Sequence, residues 1–164
     1  MKGCRVALVN PAFEGAFPGV PLNLLYLAAA LEQDGHEVAV YDFLADERSC
    51  ADQVRKVLKW CPQIVGITGT SPSFLEATDF ARELRRQDRG VWIVKGGHHE
   101  RNGRWRDAFH AELVDGRRVV DFVVNAPAGE PQMREIARAR AHGVSPKPMP
   151  GLRFSAGGLS LVDE

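Results

Sequence analysis

Apolar residues along this chain fall into two alternating patterns. Short runs of β-branched and aliphatic residues without polar alternation read as strands covered on both faces. They occur at residues 5–9, 37–41, 64–68, 91–94 and 119–124. Between them the apolar positions take helical spacing. Leu24, Leu25, Leu27, Ala28 and Leu31 form the first such stripe, and Val54, Val57 and Leu58 the second. Phe74, Ala77, Phe80, Ala81 and Leu84 form the third, and Trp105, Phe109 and Leu113 the fourth. Residues 131–141 form a last helix, with basic residues toward its end. Strands alternating with helices predict a doubly wound α/β fold, a Rossmann- or flavodoxin-like five-stranded parallel sheet.

Local signals punctuate these elements. Pro21 suits the first position of a helix, and Gly35 and Gly143 suit helix C-termini. Ser49 with Asp52, and Ser73 with Glu76, have the spacing of capping boxes. Pro62 stops the second helix. After Gly143 the chain turns Pro-rich, and Leu152 to Phe154 and Leu159 to Val162 flank Ala156-Gly-Gly158 as a small hairpin. The expected division is a domain over 1–143 and a linker-plus-hairpin extension over 144–164.

The stretch Gln63-Ile-Val-Gly-Ile-Thr-Gly-Thr-Ser-Pro-Ser-Phe74 carries the candidate chemistry. A buried strand there runs straight into small hydroxylated residues, at the carboxyl end where open α/β sheets bind ligands. Thr68, Thr70, Ser71, Pro72, Ser73 and Phe74 are therefore candidate contacts. The loop after the first strand (10–20) is long and offers Asn10, Pro11, Ala12 and Phe13. The loop after the fourth offers Gly96, Gly97, His98 and His99, and that after the fifth offers Ala126, Gly129 and Glu130. Plainer roles compete. Hydroxyls cap helices and satisfy turns, Glu130 suits a helix N-terminus, and neighbouring histidines diverge too far to share a metal.

Several ligands are excluded. One glycine, Gly15, stands where a dinucleotide loop needs three. Thr68 occupies the position where a phosphoreceiver domain needs Asp, and no Gly-x-x-x-x-Gly-Lys-[Ser/Thr] is present. A flavin mononucleotide fits only weakly, because its hydroxyl loop belongs after the first strand. Charge adds little: 21 basic residues balance 21 acidic ones, so nothing draws the chain to nucleic acid or an anionic membrane. No run approaches the roughly 18 apolar residues of a membrane span, and the N-terminal apolar run is too short for a signal peptide, so the cytoplasm is expected. Cys4, Cys50 and Cys61 lack any CxxC spacing and read as reduced thiols.

With those loops in order, the chain resembles the cobalamin (vitamin B12)-binding domain found N-terminal to radical S-adenosylmethionine (SAM) enzymes. Ala7-Leu-Val-Asn-Pro11 is similar to that family's opening strand, and residues 21–38 to its first helix and second strand. Pro62-Gln-Ile-Val-Gly-Ile-Thr68 with residues 71–74 resembles its third strand and loop. Val94-Lys-Gly-Gly-His-His99 resembles its Gly-Gly-x-His turn, and residues 120–124 with Gly129-Glu130 its last strand and loop. Pro150-Gly-Leu-Arg-Phe154 resembles the stretch leading into the radical domain.

The resemblance implies cobalamin as cofactor. Its nucleotide tail would enter a slot lined by Gly69, Thr70, Ser71, Gly96 and Gly97, with Phe13, Phe74 and the His98-His99 turn covering the corrin. Mutases of this fold carry Asp-x-His-x-x-Gly after the first strand, whose His ligates cobalt; Asn10-Pro-Ala-Phe-Glu-Gly15 has Ala12 in that place. The implied state is therefore base-off, with no histidine from this loop. No CxxxCxxC occurs, so no [4Fe–4S] cluster is expected within this chain. The expected role is a non-catalytic module presenting cobalamin to a radical SAM, methyltransferase-type partner or domain. Two rivals remain. One is a degenerate fold that lost the cofactor and serves interaction or sensing; the other is an enzyme using His98 or His99 as acid/base.

Overall fold

The structure is a computed structural model that describes residues 3–13, 19–46, 48–97 and 112–155. In chain order the elements are β1 (Arg5–Asn10), α1 (Leu22–Gln33), β2 (Glu37–Asp42), α2 (Cys50–Leu58), β3 (Ile64–Thr68), α3 (Phe74–Gln87) and β4 (Trp92–Gly96). They continue with β5 (Leu113–Val114), β6 (Arg117–Arg118), β7 (Phe122–Val124), α4 (Glu130–His142) and β8 (Leu152–Phe154). The main sheet has the order β2-β1-β3-β4-β7-β8. All its pairs are parallel except the last, where β8 lies antiparallel to β7.

The expected parallel five-stranded core is present. The chain differs from the expectation at three places. Leu152–Phe154 docks as a sixth strand and covers the β7 edge, which would otherwise present unpaired backbone; the hairpin's second arm, Leu159 to Val162, lies outside the described residues. Leu113 belongs to a β5–β6 hairpin, not to a helix; Trp105 and Phe109 lie outside the described residues. Asp115 and Gly116 take φ of 49° and 74°, the left-handed pair that a tight hairpin turn requires. Finally, strand pairing of the fifth parallel strand begins only at Phe122; before it, Val119 N and Asp121 N donate to the carbonyls of Glu112 and Ile93.

Two apolar layers sandwich the sheet. On one face α2 and α3 pack Val54, Val57, Phe80 and Leu84 onto Val65, Ile67 and Ile93. On the other, Leu24, Ala28 and Leu31 of α1 and Met133 and Ile136 of α4 pack onto Leu8, Ile64 and Val94. Period-two alternation explains the split: Ile64, Gly66 and Thr68 point to the α1/α4 side, Val65 and Ile67 to the other. Helix ends follow the local chemistry. Ser49 Oγ accepts from Asp52 N at 3.2 Å, and Gly35 and Gly143 turn with φ of 83° and 67°. Pro21 stands one residue earlier than expected, as the N-cap of α1. Among the described residues no helix is long and apolar enough to cross a membrane.

A fully buried arginine ties α3 to the sheet. Arg85, 1% exposed, donates to the carbonyls of Arg118 (2.8 Å), Arg89 (3.2 Å) and Val91 (3.0 Å) and to Asp121 Oδ2 (2.6 Å). Asp121 Oδ2 also accepts from Ile93 N at 2.8 Å. Removing the guanidinium strands several polar groups in the interior, which is costlier than the pair is worth. Arg85→Met is expected to cost about 3 kcal/mol or more in urea unfolding. A change below about 1 kcal/mol would contradict the clamp.

The thiols are separated by burial. Cys4 lies 3.4 Å from His36 Nδ1, yet burial pushes its thiol up to about 11. Burial likewise raises Cys50 to about 11, whereas Cys61 is exposed. Because the thiolate is the nucleophile, iodoacetamide at pH 8 should alkylate Cys61 well before the other two in the folded protein. Peptide mass mapping reads this out, and early modification of Cys4 would contradict it.

Candidate functional site

A cleft of about 540 Å³ opens at the carboxyl edge of β3, β4 and β7, between the sheet and helices α1 and α4. Its origin lies in two missing side chains. Gly66 of β3 and Gly96 of β4 face the α1/α4 side, so that neighbouring groups approach the sheet where a side chain would otherwise stand. A Cβ at Gly66 would sit 3.0 Å from Leu8 Cδ2 and 3.4 Å from Met133 Cε. The floor is therefore apolar and fitted around that glycine, with Leu24 and Leu27 of α1 as one wall. Ala126 to Gly129 form the opposite wall.

The rim is polar and uncrowded. Thr68, at the end of β3, accepts at Oγ1 from Asn23 Nδ2 of α1 at 3.1 Å. Thr70 follows, its loop braced from beneath. Ser73 is 2% exposed; its Oγ accepts from Thr70 N at 2.9 Å and lies 3.1 Å from Thr70 Oγ1. Ser73 thus stands at the N-cap of α3 without a side-chain cap bond, its hydroxyl spent on the loop. Gly69 N donates to Gly96 O at 2.9 Å, which joins this loop to the next. Gly97 has a φ of +114°, and a Cβ there would fall 2.3 Å from Gly69 O. Two loops meet backbone to backbone, and only glycine permits it.

Residues 13–117 match the family model of the B12 binding domain. The chain belongs to the B12-binding domain family.

This B12-binding domain is 30% identical over 165 residues to an uncharacterized methyltransferase of Pyrococcus horikoshii, the match covering 96% of the chain and 34% of that protein. Its fold superposes with a TM-score of 0.76 and 26% identity on the radical SAM methyltransferase TsrM of Kitasatospora setae, whose structure holds cobalamin and a [4Fe-4S] cluster. That match covers 94% of this chain and 28% of TsrM. The cobalamin-dependent radical SAM enzyme OxsB, solved with aqua-cobalamin and SAM, shares the fold at a TM-score of 0.76 and 15% identity, over 93% of this chain and 21% of OxsB. The chain thus spans about a third or less of the length of these relatives.

The B12-binding domain brings Thr68, Thr70, Gly96, Gly97, Ala126, Gly129 and Glu130 together around the cleft. Ser71 and Pro72 are exposed on the loop tip beside it, and Ser73 lies beneath. Phe74 packs toward the α2/α3 core, with the Lys95 ammonium 3.9 Å from its ring centroid. Lys95 is fully buried and donates to Thr78 Oγ1 at 3.2 Å. The first-loop candidates stand elsewhere. Asn10 donates to Asp42 Oδ1 at 3.1 Å, on the β2 side of β1 and away from the cleft. Pro11 is buried, Phe13 is half-buried, and Ala12 packs against the α2/α3 core. His98 and His99 lie outside the described residues. Among the described residues no three His, Cys, Asp or Glu side chains are grouped to hold a metal.

Asn23, Leu27, Gly66 and Met133 line the cleft without having been singled out by sequence. Two carried a signal: Gly66 interrupts an apolar strand, and Asn23 interrupts an apolar helical run.

The two glycines of β4's end predict opposite outcomes. Gly97→Ala combines a left-handed φ with a backbone clash and should lose about 2 kcal/mol or more in urea unfolding. Gly96→Ala would place its Cβ 3.6 Å from Val124 Cβ, an ordinary contact, and should unfold within about 0.5 kcal/mol of wild type. Equal midpoints for the two variants would contradict the loop-to-loop contact.

Proposed function

We propose that this domain holds cobalamin in the α1/α4-side cleft, base-off and without a histidine from the first loop, and presents it to a radical SAM partner or domain. The observation that carries the reading is the cleft itself: a bare glycine floor beneath a rim of hydroxyl and amide groups, on the edge where such sheets bind ligands. The residues present fit the group. Gly66, Leu8, Val94 and Met133 give apolar contact for an aromatic nucleotide base, and Thr68 and Thr70 give hydroxyls for its ring nitrogen. The backbone of Gly96–Gly97 suits a phosphate or a corrin amide.

When bound, cobalamin supplies a cobalt centre able to carry a methyl group. The protein's own residues bind, orient and shield. In the sequence Ala12 stands where the mutase motif carries its histidine, and it packs against the α2/α3 core, so this loop would offer the metal no imidazole. Presentation to a partner is supported by the surface around the cleft mouth. Val20, Leu22, Tyr26 and Leu75, each 59–69% exposed, stand on or beside the first turns of α1 and α3 at this edge. Residues from 144 onward, whose β8 closes the sheet edge, serve in this reading as the connector toward a catalytic domain, which the length of the relatives accommodates.

Hydroxocobalamin added to the purified protein, followed by desalting, tests the proposal. Retained colour with a base-off visible spectrum is the expected result. A histidine-ligated spectrum would overturn the role given to Ala12. No retained colour at tens of micromolar cobalamin would overturn cobalamin binding and favour a fold that has lost its cofactor.

A further inference from the structure

We infer that Asn23 is a positioning residue: its side-chain amide orients the Thr68 hydroxyl so that the hydroxyl donates into the cleft. The inference rests on the cobalamin reading above and adds a residue to it.

A threonine hydroxyl has one proton and two lone pairs. At Thr68 one lone pair takes the N–H of Asn23 at 3.1 Å. Accepting there restricts the rotor, and the hydroxyl proton turns away from the Asn23 amide. Thr68 ends β3 on the α1/α4 side, so the direction left open is the cleft, which both residues line. The hydroxyl is thereby set as a donor before any ligand arrives, which lowers the ordering cost of binding. The acceptor it suits is a ring nitrogen or a phosphate oxygen, both of which belong to the nucleotide tail of cobalamin. Asn23 is exposed on the first turn of α1, so its replacement leaves the core intact.

The direction of the bond gives a test that simple loss of packing cannot imitate. Asn23→Asp is nearly isosteric, yet a carboxylate only accepts. It would take the Thr68 proton for itself and leave only lone pairs facing the cleft. Asn23→Ala frees the rotor without capturing it. Affinities for hydroxocobalamin and for cobinamide, which lacks the nucleotide tail, are measured for wild type and each variant. Thr68→Val alone and combined with Asn23→Asp completes a double-mutant cycle.

Asn23→Asp is expected to weaken cobalamin about tenfold and Asn23→Ala by a few-fold. Cobinamide affinity should be unchanged, and Asn23→Asp should add no loss in the Thr68→Val background. Wild-type affinity in Asn23→Asp, or an equal loss with Thr68→Val present, would overturn the inference while leaving cobalamin binding intact. Failure of the wild-type protein to bind either corrinoid would overturn the cobalamin reading, and this inference with it.

Discussion

Where β3 and β4 face α1 and α4, each strand carries a glycine, Gly66 and Gly96, beside the cleft. Leu8 and Met133 close over Gly66, where a Cβ would meet them at 3.0 and 3.4 Å, whereas Gly96 leaves room near the end of β4, and α1 and α4 are seated on Leu8, Ile64 and Val94. The opposite face has no such gap: Val65, Ile67 and Ile93 meet Phe80 and Leu84 of α3. A protein interior is normally packed to crystal density. Here density is given up on one side of one edge, which marks that edge as a place for a ligand.

Holding such a gap open requires rigid surroundings. The loops that frame it are tied to each other by the Gly69–Gly96 hydrogen bond and by the close approach of Gly97 to Gly69. Ser73, buried under Thr70, gives up capping α3 to hold the same loop. At the other end of the strands, Arg85 gathers three carbonyls and Asp121 and fixes β4, β7 and α3 as one block. Affinity in a preformed cleft benefits from this, since loops already ordered need not be ordered on binding.

The alternation of unbroken apolar runs with helical stripes made the parallel sheet legible, because a strand buried on both faces has few other sequences available to it. The cleft was legible as a position, the carboxyl edge, and in the threonine and glycine residues that line it. What sequence missed came from across the chain. Asn23 and Met133 reach the cleft only because α1 and α4 pack on the same face, and helical periodicity does not say which face that is. Asp115-Gly116 is a turn pair read past in favour of the i, i+4, i+8 spacing of Trp105, Phe109 and Leu113. Asn10, at the end of β1, gives its amide to Asp42 at the end of the neighbouring strand, a pairing that strand order alone brings about.

The most direct test of the central claim is hydrogen–deuterium exchange with and without hydroxocobalamin. The account predicts added protection at the first turn of α1, at residues 68–70 and 96–97, and at 126–129, with α2 and β2 unchanged. Protection centred instead on the β1–β2 edge around Asn10 and Asp42, or none at saturating cobalamin, would contradict it.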